Sequence, residues 1–259
     1  MIAWIFRLIV RFPALSILAV TLLVGSLALY VPQLRVDASS HTLMLDDDAD
    51  LRFSAKMSER YGSPDFLVIA FTPNEPLLSA RTRETINNLS NDLEGLARID
   101  SVTSILNAPL LQSPVRPIKE LVKAVPTLQS NSPELELVKE EFLTSPLYKG
   151  SLVSEDFMTT ALVLNLAPDE RYKDLMQERQ RLLDIKSPTK QQSLALDDLE
   201  KTLREHRDAQ REIEHQSIKQ IRAIMDGYKN EGTLYLGGVS MIADDMITYI
   251  KHDVLFYGV

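Results

Sequence analysis

From Phe12 to Leu34 the chain reads FPALSILAVTLLVGSLALYVPQL, with no charged residue. About twenty apolar residues at a rise of 1.5 Å cross a hydrocarbon core of roughly 30 Å. Such a run leaves two fates, a membrane span or a removed leader. Arg7 and Arg11 precede it, and Asp37, Asp46, Asp47 and Asp48 follow it. The positive-inside rule then puts residues 1–11 in the cytoplasm, a transmembrane helix at 12–34, and the rest on the exported side. Pro13 falls in the first turn, where its missing N–H costs little, and Pro32 marks the exit. The competing leader reading has one support: Ser26–Ala28 resembles a small-x-small cleavage site. The run is longer than the usual h-region of about 7–15 residues. It also continues through Leu29, Tyr30 and Val31, with Tyr30 placed as an interfacial anchor. A retained span is the favoured reading, and both readings place residues 35–250 outside the cytoplasm.

The chain as a whole has the composition of a folded protein, with 45% hydrophobic residues over 259 positions. A net charge of -8 gains nothing from phosphate counterion release, so nucleic acid is excluded as a partner and tight binding to anionic headgroups is disfavoured. The absence of cysteine excludes a disulfide scaffold, a thiolate zinc site and a thiol nucleophile.

Asp65–Pro73, DFLVIAFTP, is a compact β-favouring run closed by proline and predicts a buried strand. Ser79 caps a helix whose Ile86, Leu89, Leu93 and Leu96 form one apolar stripe. Ser101–Leu106 predicts a second strand. Pro109 to Pro146 holds six of the 13 prolines, so residues 108–150 read as an insertion. Its clearest helix is Ser132–Leu143, with Ser132 as cap and Pro133 at the first helical position. Phe157–Leu166 predicts the third strand. A long helix over 191–228 follows, with Leu196, Leu199, Leu203, Ile213, Ile221 and Ile224 as its stripe. Its middle, around His206 and Gln210, is polar, so it is expected to leave the domain body in part or to bend there. Gly232–Gly238 predicts the last strand. The order βαβ–insertion–βαβ is that of a ferredoxin-like α+β sandwich with an antiparallel sheet and both helices on one face.

From Ser240 the chain turns helical again, and Ile242, Met246, Ile250 and Leu255 can share one face. After Asp253 every residue is apolar, aromatic or glycine. Residues 251–259 therefore read as the start of a second membrane helix, which implies a longer native polypeptide.

Three phrases carry a family resemblance. They are VDASSHTLMLDDDADLRFSAKMSERYGSPDFLVIAF (Val36–Phe71), SPLYKGSLVSEDFMTTALVLNL (Ser145–Leu166), and EHQSIKQIRAIMDGY (Glu214–Tyr228) followed by LGGVSMIADDMITYIKHDVLF (Leu236–Phe256). In this order the chain resembles the N-terminal part of an RND-superfamily exporter, in the MmpL-like and hopanoid-type lipid exporter branch. The resemblance implies a proton-driven, multi-pass inner-membrane exporter built as two repeats, with periplasmic porter-type loops. It implies as partners the lipid bilayer, the remaining transmembrane helices of the full-length protein and a hydrophobic or lipid-like substrate, and it leaves oligomerisation open. The family's proton-relay carboxylates belong to later helices, and residues 12–34 contain no ionisable group except Tyr30.

Tempting sites have bland readings. Asp46–Asp50, DDDAD, opens like a calcium loop, but the sixth position is Leu51 and the twelfth Met57, where an EF-hand needs Gly and Glu. A solvated acidic loop is favoured. His206 and His215 are nine apart on one helix and face opposite sides, and neither they nor His41 and His252 have zinc spacing. Asp244, Asp245 and Asp253 lack a nucleophile partner and read as surface or helix-end groups. Gly237-Gly238 reads as a turn, and no phosphate-binding glycine motif occurs. No catalytic, cofactor-binding or metal-binding set is therefore expected, no cofactor is implied, and no substrate-contacting residue can be named. An enzyme is a distant reading. The alternative to an exporter segment is a single-span anchored binding or adaptor domain that docks a partner through its long helix. A coiled-coil role for the Leu196, Leu199 and Leu203 stripe is the sharper, less favoured reading of that helix.

Overall fold

The computed structural model describes residues 10–28, 65–113, 115, 117, 125–130, 134–185, 187 and 189–257. Arg7, the end of the expected span from Leu29 to Leu34, His41, the Asp46–Asp50 loop, and Ser132 with Pro133 lie outside them. The chain divides into two compact units, 1–45 and 46–259.

In the first unit, helix α1 runs Pro13–Ala28, so Pro13 opens the helix as its ring requires. Its two serines return their hydroxyls to the helix itself, Ser16 Oγ to the Phe12 carbonyl at 3.1 Å and Ser26 Oγ to Leu23 at 2.8 Å. That removes the polar cost of those side chains in apolar surroundings. No helix among the described residues is long and apolar enough to cross a membrane.

The second unit is an α+β domain around a four-stranded antiparallel sheet. Its elements are β1 (Phe66–Pro73), α2 (Ala80–Glu94), β2 (Ile99–Thr103), α3 (Leu135–Thr144), β3 (Thr160–Leu166), α4 (Glu170–Leu183), α5 (Lys190–Gly227), β4 (Gly232–Gly237) and α6 (Val239–Tyr257). The strand order is β2-β3-β1-β4. Strands β1 and β3 pair from Phe66↔Asn165 to Phe71↔Thr160, and β1 and β4 from Val68↔Gly237 to Pro73↔Gly232. The first strand thus lies in the middle, and its burial alternates along its length.

One face carries the core. Leu67, Ile69 and Phe71 of β1 and Leu162, Leu164 and Leu166 of β3 join Ile86, Leu89 and Leu93 of α2 and Ile221 and Met225 of α5 in one buried cluster. Period 2 on the strands meets period 3.6 on the helices, and each element hides one apolar side. Ser79 caps α2 as expected, its Oγ accepting from Thr82 N–H at 3.1 Å. Gly95 ends that helix, so Leu96 packs on the core from the following turn.

Several boundaries differ from the sequence reading. Strand β2 begins at Ile99 rather than Ser101, because a bulge between Ile99 and Ser101 lets Ile99 reach the core opposite Leu166. Strand β3 begins at Thr160, after a turn in which Ser154 Oγ accepts from Met158 and Thr159 N–H. The second crossover holds two helices, not one. Asp169 starts the unforeseen α4 by accepting from Tyr172 N–H at 2.8 Å. A capping box between Thr189 and Gln192 starts α5. Helices α4 and α5 form a hairpin in which Leu175 and Leu203 are buried.

This hairpin changes the stripe expected on α5. Ile213 is exposed, and the buried positions beyond Leu203 are Ser217, Ile218, Ile221 and Met225. The helix first serves α4 and then the sheet, so its buried side rotates between the two tasks. The polar middle is occupied as well: His206 Nε2 meets Asp169 Oδ2 at 2.7 Å. The proline-rich insertion is also held. The Glu141 carboxylate on α3 accepts from Leu111 N–H at 2.6 Å and Gln112 N–H at 3.0 Å, and Tyr148 O–H donates to the Pro109 carbonyl.

Candidate functional site

Two surfaces of this unit break the pattern of a water-facing domain. The first is the sheet face opposite the core. Its register rows run Thr103–Val163–Val68–Gly237, Ser101–Asn165–Phe66 and Ala161–Ala70–Tyr235, the last covered at Ala161, which is buried beside Leu152, and open at Tyr235. None of these paired positions is charged, and Asp100 stands in the bulge outside the rows. A solvated antiparallel face ordinarily alternates polar residues outward. Here Phe66 is 54% exposed and Tyr235 69%. The polar groups that do occur are tied to one another: Asn165 Nδ2 donates to Ser101 Oγ at 3.0 Å, and Thr72 and Thr159 hydroxyls lie 2.8 Å apart.

The second is α6, whose polar and apolar sides are inverted. Asp244 and Asp245 point toward α5. Asp244 Oδ1 lies 2.7 Å from His215 Nδ1, and Arg222 Nη2 donates to both Asp245 oxygens at 2.9 and 2.8 Å. The outward side carries Val239, Ile242, Met246, Tyr249 and Phe256, between 49% and 71% exposed. Their spacing of three, four, three and seven is a heptad seam that no described residue covers. Ile242 and Met246 do share a face, as expected, but it is the open one. His252 stacks on Phe256 with ring centroids 4.6 Å apart, and Asp253 stands 3.6 Å from His252.

The electrostatics around α5 follow from burial and pairing. Asp169 is held below its ordinary range: burial opposes ionisation, but Tyr172 N–H, His206 and the charge of Arg98 together outweigh it. Glu214 moves upward, since burial dominates even with Arg98 Nη2 at 3.6 Å and Asp65 adds repulsion. Arg222 moves upward through its bond to Asp245, against the cost of its burial. At the end of α5, the Tyr228 hydroxyl donates to Asp92 at 2.6 Å, and burial plus that carboxylate push it to about 12.

The histidines are thus divided among partners. His206 belongs with the Asp169 cap of α4, and His215 with Asp244 of α6. Among the described residues no group of three His, Asp or Glu side chains is arranged to hold a metal ion. Asp244 and Asp245 lock two helices together, a role the sequence reading missed. A usable signal was present: His215 and Arg222 are seven apart on α5, two turns on one side, opposite a consecutive acidic pair. The chain matches no protein-family model, and no curated protein sequence matches it.

Proposed function

We propose that this chain is the porter-type segment of a proton-driven exporter of the RND superfamily, MmpL-like in kind. In this reading residues 12–34 anchor it in the inner membrane and the ferredoxin-like domain over 35–250 lies in the periplasm. Its uncharged sheet face helps to guide a hydrophobic or lipid-like substrate. The remaining transmembrane helices, which carry the proton relay, complete the transporter.

The observation that carries this reading is the inverted α6. A helix that turns carboxylates inward and a seam of Val239, Ile242, Met246, Tyr249 and Phe256 outward suits an apolar neighbour. The strand order β2-β3-β1-β4 with two crossover connections supports the ferredoxin-like part. The uncharged face supports a surface that an apolar molecule can follow without desolvating charge.

The test is retention of a lipophilic fluorescent dye in cells carrying the native gene. Val163→Lys puts a charge in the middle of the open face, opposite Val68 and Thr103. Val163 is half-buried in an inner strand, so efflux is expected to fall several-fold with a stability loss of about 1–2 kcal/mol, and circular dichroism checks that the domain stays folded. Unchanged efflux with lysine at Val163 and at Val68 would remove the sheet face from the proposal. The native polypeptide, blotted with an antibody against residues 65–257, is expected to be several times heavier than this chain.

The alternative is an anchored adaptor that docks a partner with the α4–α5 hairpin. Exposed Leu183 and Leu194 near its tip favour it. A native product of 259 residues, with dye efflux independent of the gene, would decide for this second reading.

A further inference from the structure

Helix α6 leaves the sheet through Gly238, whose φ of +139° is open to glycine alone. A helix hung on such a joint needs something else to fix its direction. Met241 packs on the core, and two polar contacts with α5 add direction. One is the fork of Arg222 on Asp245, which keeps its charge at any physiological pH. The other is His215 Nδ1 against Asp244 Oδ1 at 2.7 Å, with side chains 27% and 16% exposed.

We propose that His215 and Asp244 form a pH-sensitive latch that holds α6 against α5 more tightly as the surroundings acidify. This inference does not depend on the exporter reading.

A neutral imidazole can donate to Asp244 only in its Nδ1–H tautomer. The protonated ring donates from both nitrogens and adds a full charge opposite the carboxylate. The bond to the Asp244 carboxylate is charge-assisted in either state, and protonation adds the attraction between two full opposite charges. An imidazole in proteins changes charge between about pH 5 and 8, where carboxylates facing a cation stay ionised. The sign follows: the protonated form is the one Asp244 favours, so the latch is complete in mild acid and loosens as pH rises.

The surrounding charges are mixed. On α6 they are Asp244, Asp245 and Lys251, and on α5 Arg211, Glu212, Glu214, Lys219 and Arg222. Asp65 and Arg98 bear on Glu214. Glu212 is held low first by the Gln216 amide and then by His215, Lys219 and Lys251, which places it within the field of the imidazole. The paired Arg222–Asp245 fork keeps the helices aligned when the imidazole is neutral, so the latch sets tightness without deciding whether α6 forms.

The chain has no cysteine, so two can be introduced cleanly. Gln220→Cys on α5 and Thr248→Cys on α6 are exposed sites for spin labels in the full chain in detergent. Double electron–electron resonance is then read at pH 8 and pH 5.5. The ratio of the narrow, short-distance population to the broad one is expected to rise by up to roughly fivefold in acid, as a partly exposed bond to a carboxylate becomes an ion pair. His215→Asn keeps a neutral donor near the Nδ1 position and is expected to abolish that change. Equal pH responses in both chains, or none in the unsubstituted one, would overturn the latch.

Discussion

Glu141 offers the sharpest test of how the proline-rich segment is held. Its side chain is 3% exposed, and its two oxygens accept from two consecutive backbone N–H groups, Leu111 at 2.6 Å and Gln112 at 3.0 Å. Replacement by alanine takes the shared acceptor from both donors. Hydrogen bonds to a charged group contribute about 1.5–3 kcal/mol each. Counting each contact once, Glu141→Ala should cost about 3–6 kcal/mol. For a domain of this size each kcal/mol moves the melting temperature by about 2–4 °C, so the drop should be roughly 6–24 °C. Glu141→Gln keeps one acceptor and turns an amide N–H toward a second donor, so it should cost about 2–3 kcal/mol despite its equal size. The assay is thermal unfolding followed by circular dichroism, with Tyr148→Phe as a companion that loses only the hydroxyl bond to Pro109. The Glu141→Ala and Tyr148→Phe losses should be non-additive, because both grip the strand of chain between Pro109 and Gln112. A Glu141→Ala loss below about 0.5 kcal/mol, within the range of an ordinary surface change, would refute the claim that this carboxylate pins the segment.

Three further outcomes are expected. Gly238→Ala forces a Cβ within 2.7 Å of Leu67 Cδ2 at a φ of +139°, so it should cost at least about 2 kcal/mol and shift α6, read by unfolding and by the amide spectrum of residues 239–250. Asp169 is ionised more readily folded than unfolded, so its contribution is complete above about pH 5 and is lost as pH falls through its lowered folded value. Asp169→Asn should therefore flatten the acid limb of the stability curve, while Asp169→Ala should also remove a cap of about 1 kcal/mol. Glu214 is shifted the other way, so ionising it costs stability as pH rises above the ordinary glutamate range. Glu214→Gln should be neutral or stabilising at pH 7, and a clear loss in urea unfolding would mean that the Arg98 bridge outweighs burial.

How much was legible in the sequence depended on whether a signal was local. Strand β1 announced itself because DFLVIAFTP is apolar, β-branched and closed by proline, and α2 because Ser79 and the Ile86–Leu93 spacing lie within four turns. Helix α4 was missed because its stretch, ERYKDLMQERQRLL, is half charged and buries a single residue, Leu175. Its stability comes from Leu203 and His206 some thirty residues later, which no window over residues 170–183 contains. Its cap was visible, since Asp169 follows Pro168, but a cap without a stripe carries little weight. Glu141 is the same problem reversed. A glutamate on a helix near prolines reads as solvated, and only the fold brings two backbone N–H groups beneath it.

The parts that remain unexplained by folding alone share a direction. The covered side of the sheet obeys every level at once: alternation on the strands, stripes on α2 and α5, caps where the helices begin. The departures are α1, with apolar side chains all round, the uncharged rows around Val68 and Val163, and the outward seam of α6. A destabilised protein would show its faults at random places. These three instead substitute apolar surface for polar surface, and none adds a buried charge. At about 25 cal/mol per Å² of apolar surface removed from water, each gains from contact with lipid, an apolar substrate or a further protein surface. Such exposure is costly in water, and it accords with the exporter reading proposed above. The latch of His215 and Asp244 then falls where it can matter most, between α5, which packs on the obedient core, and α6, which carries the seam that needs a neighbour.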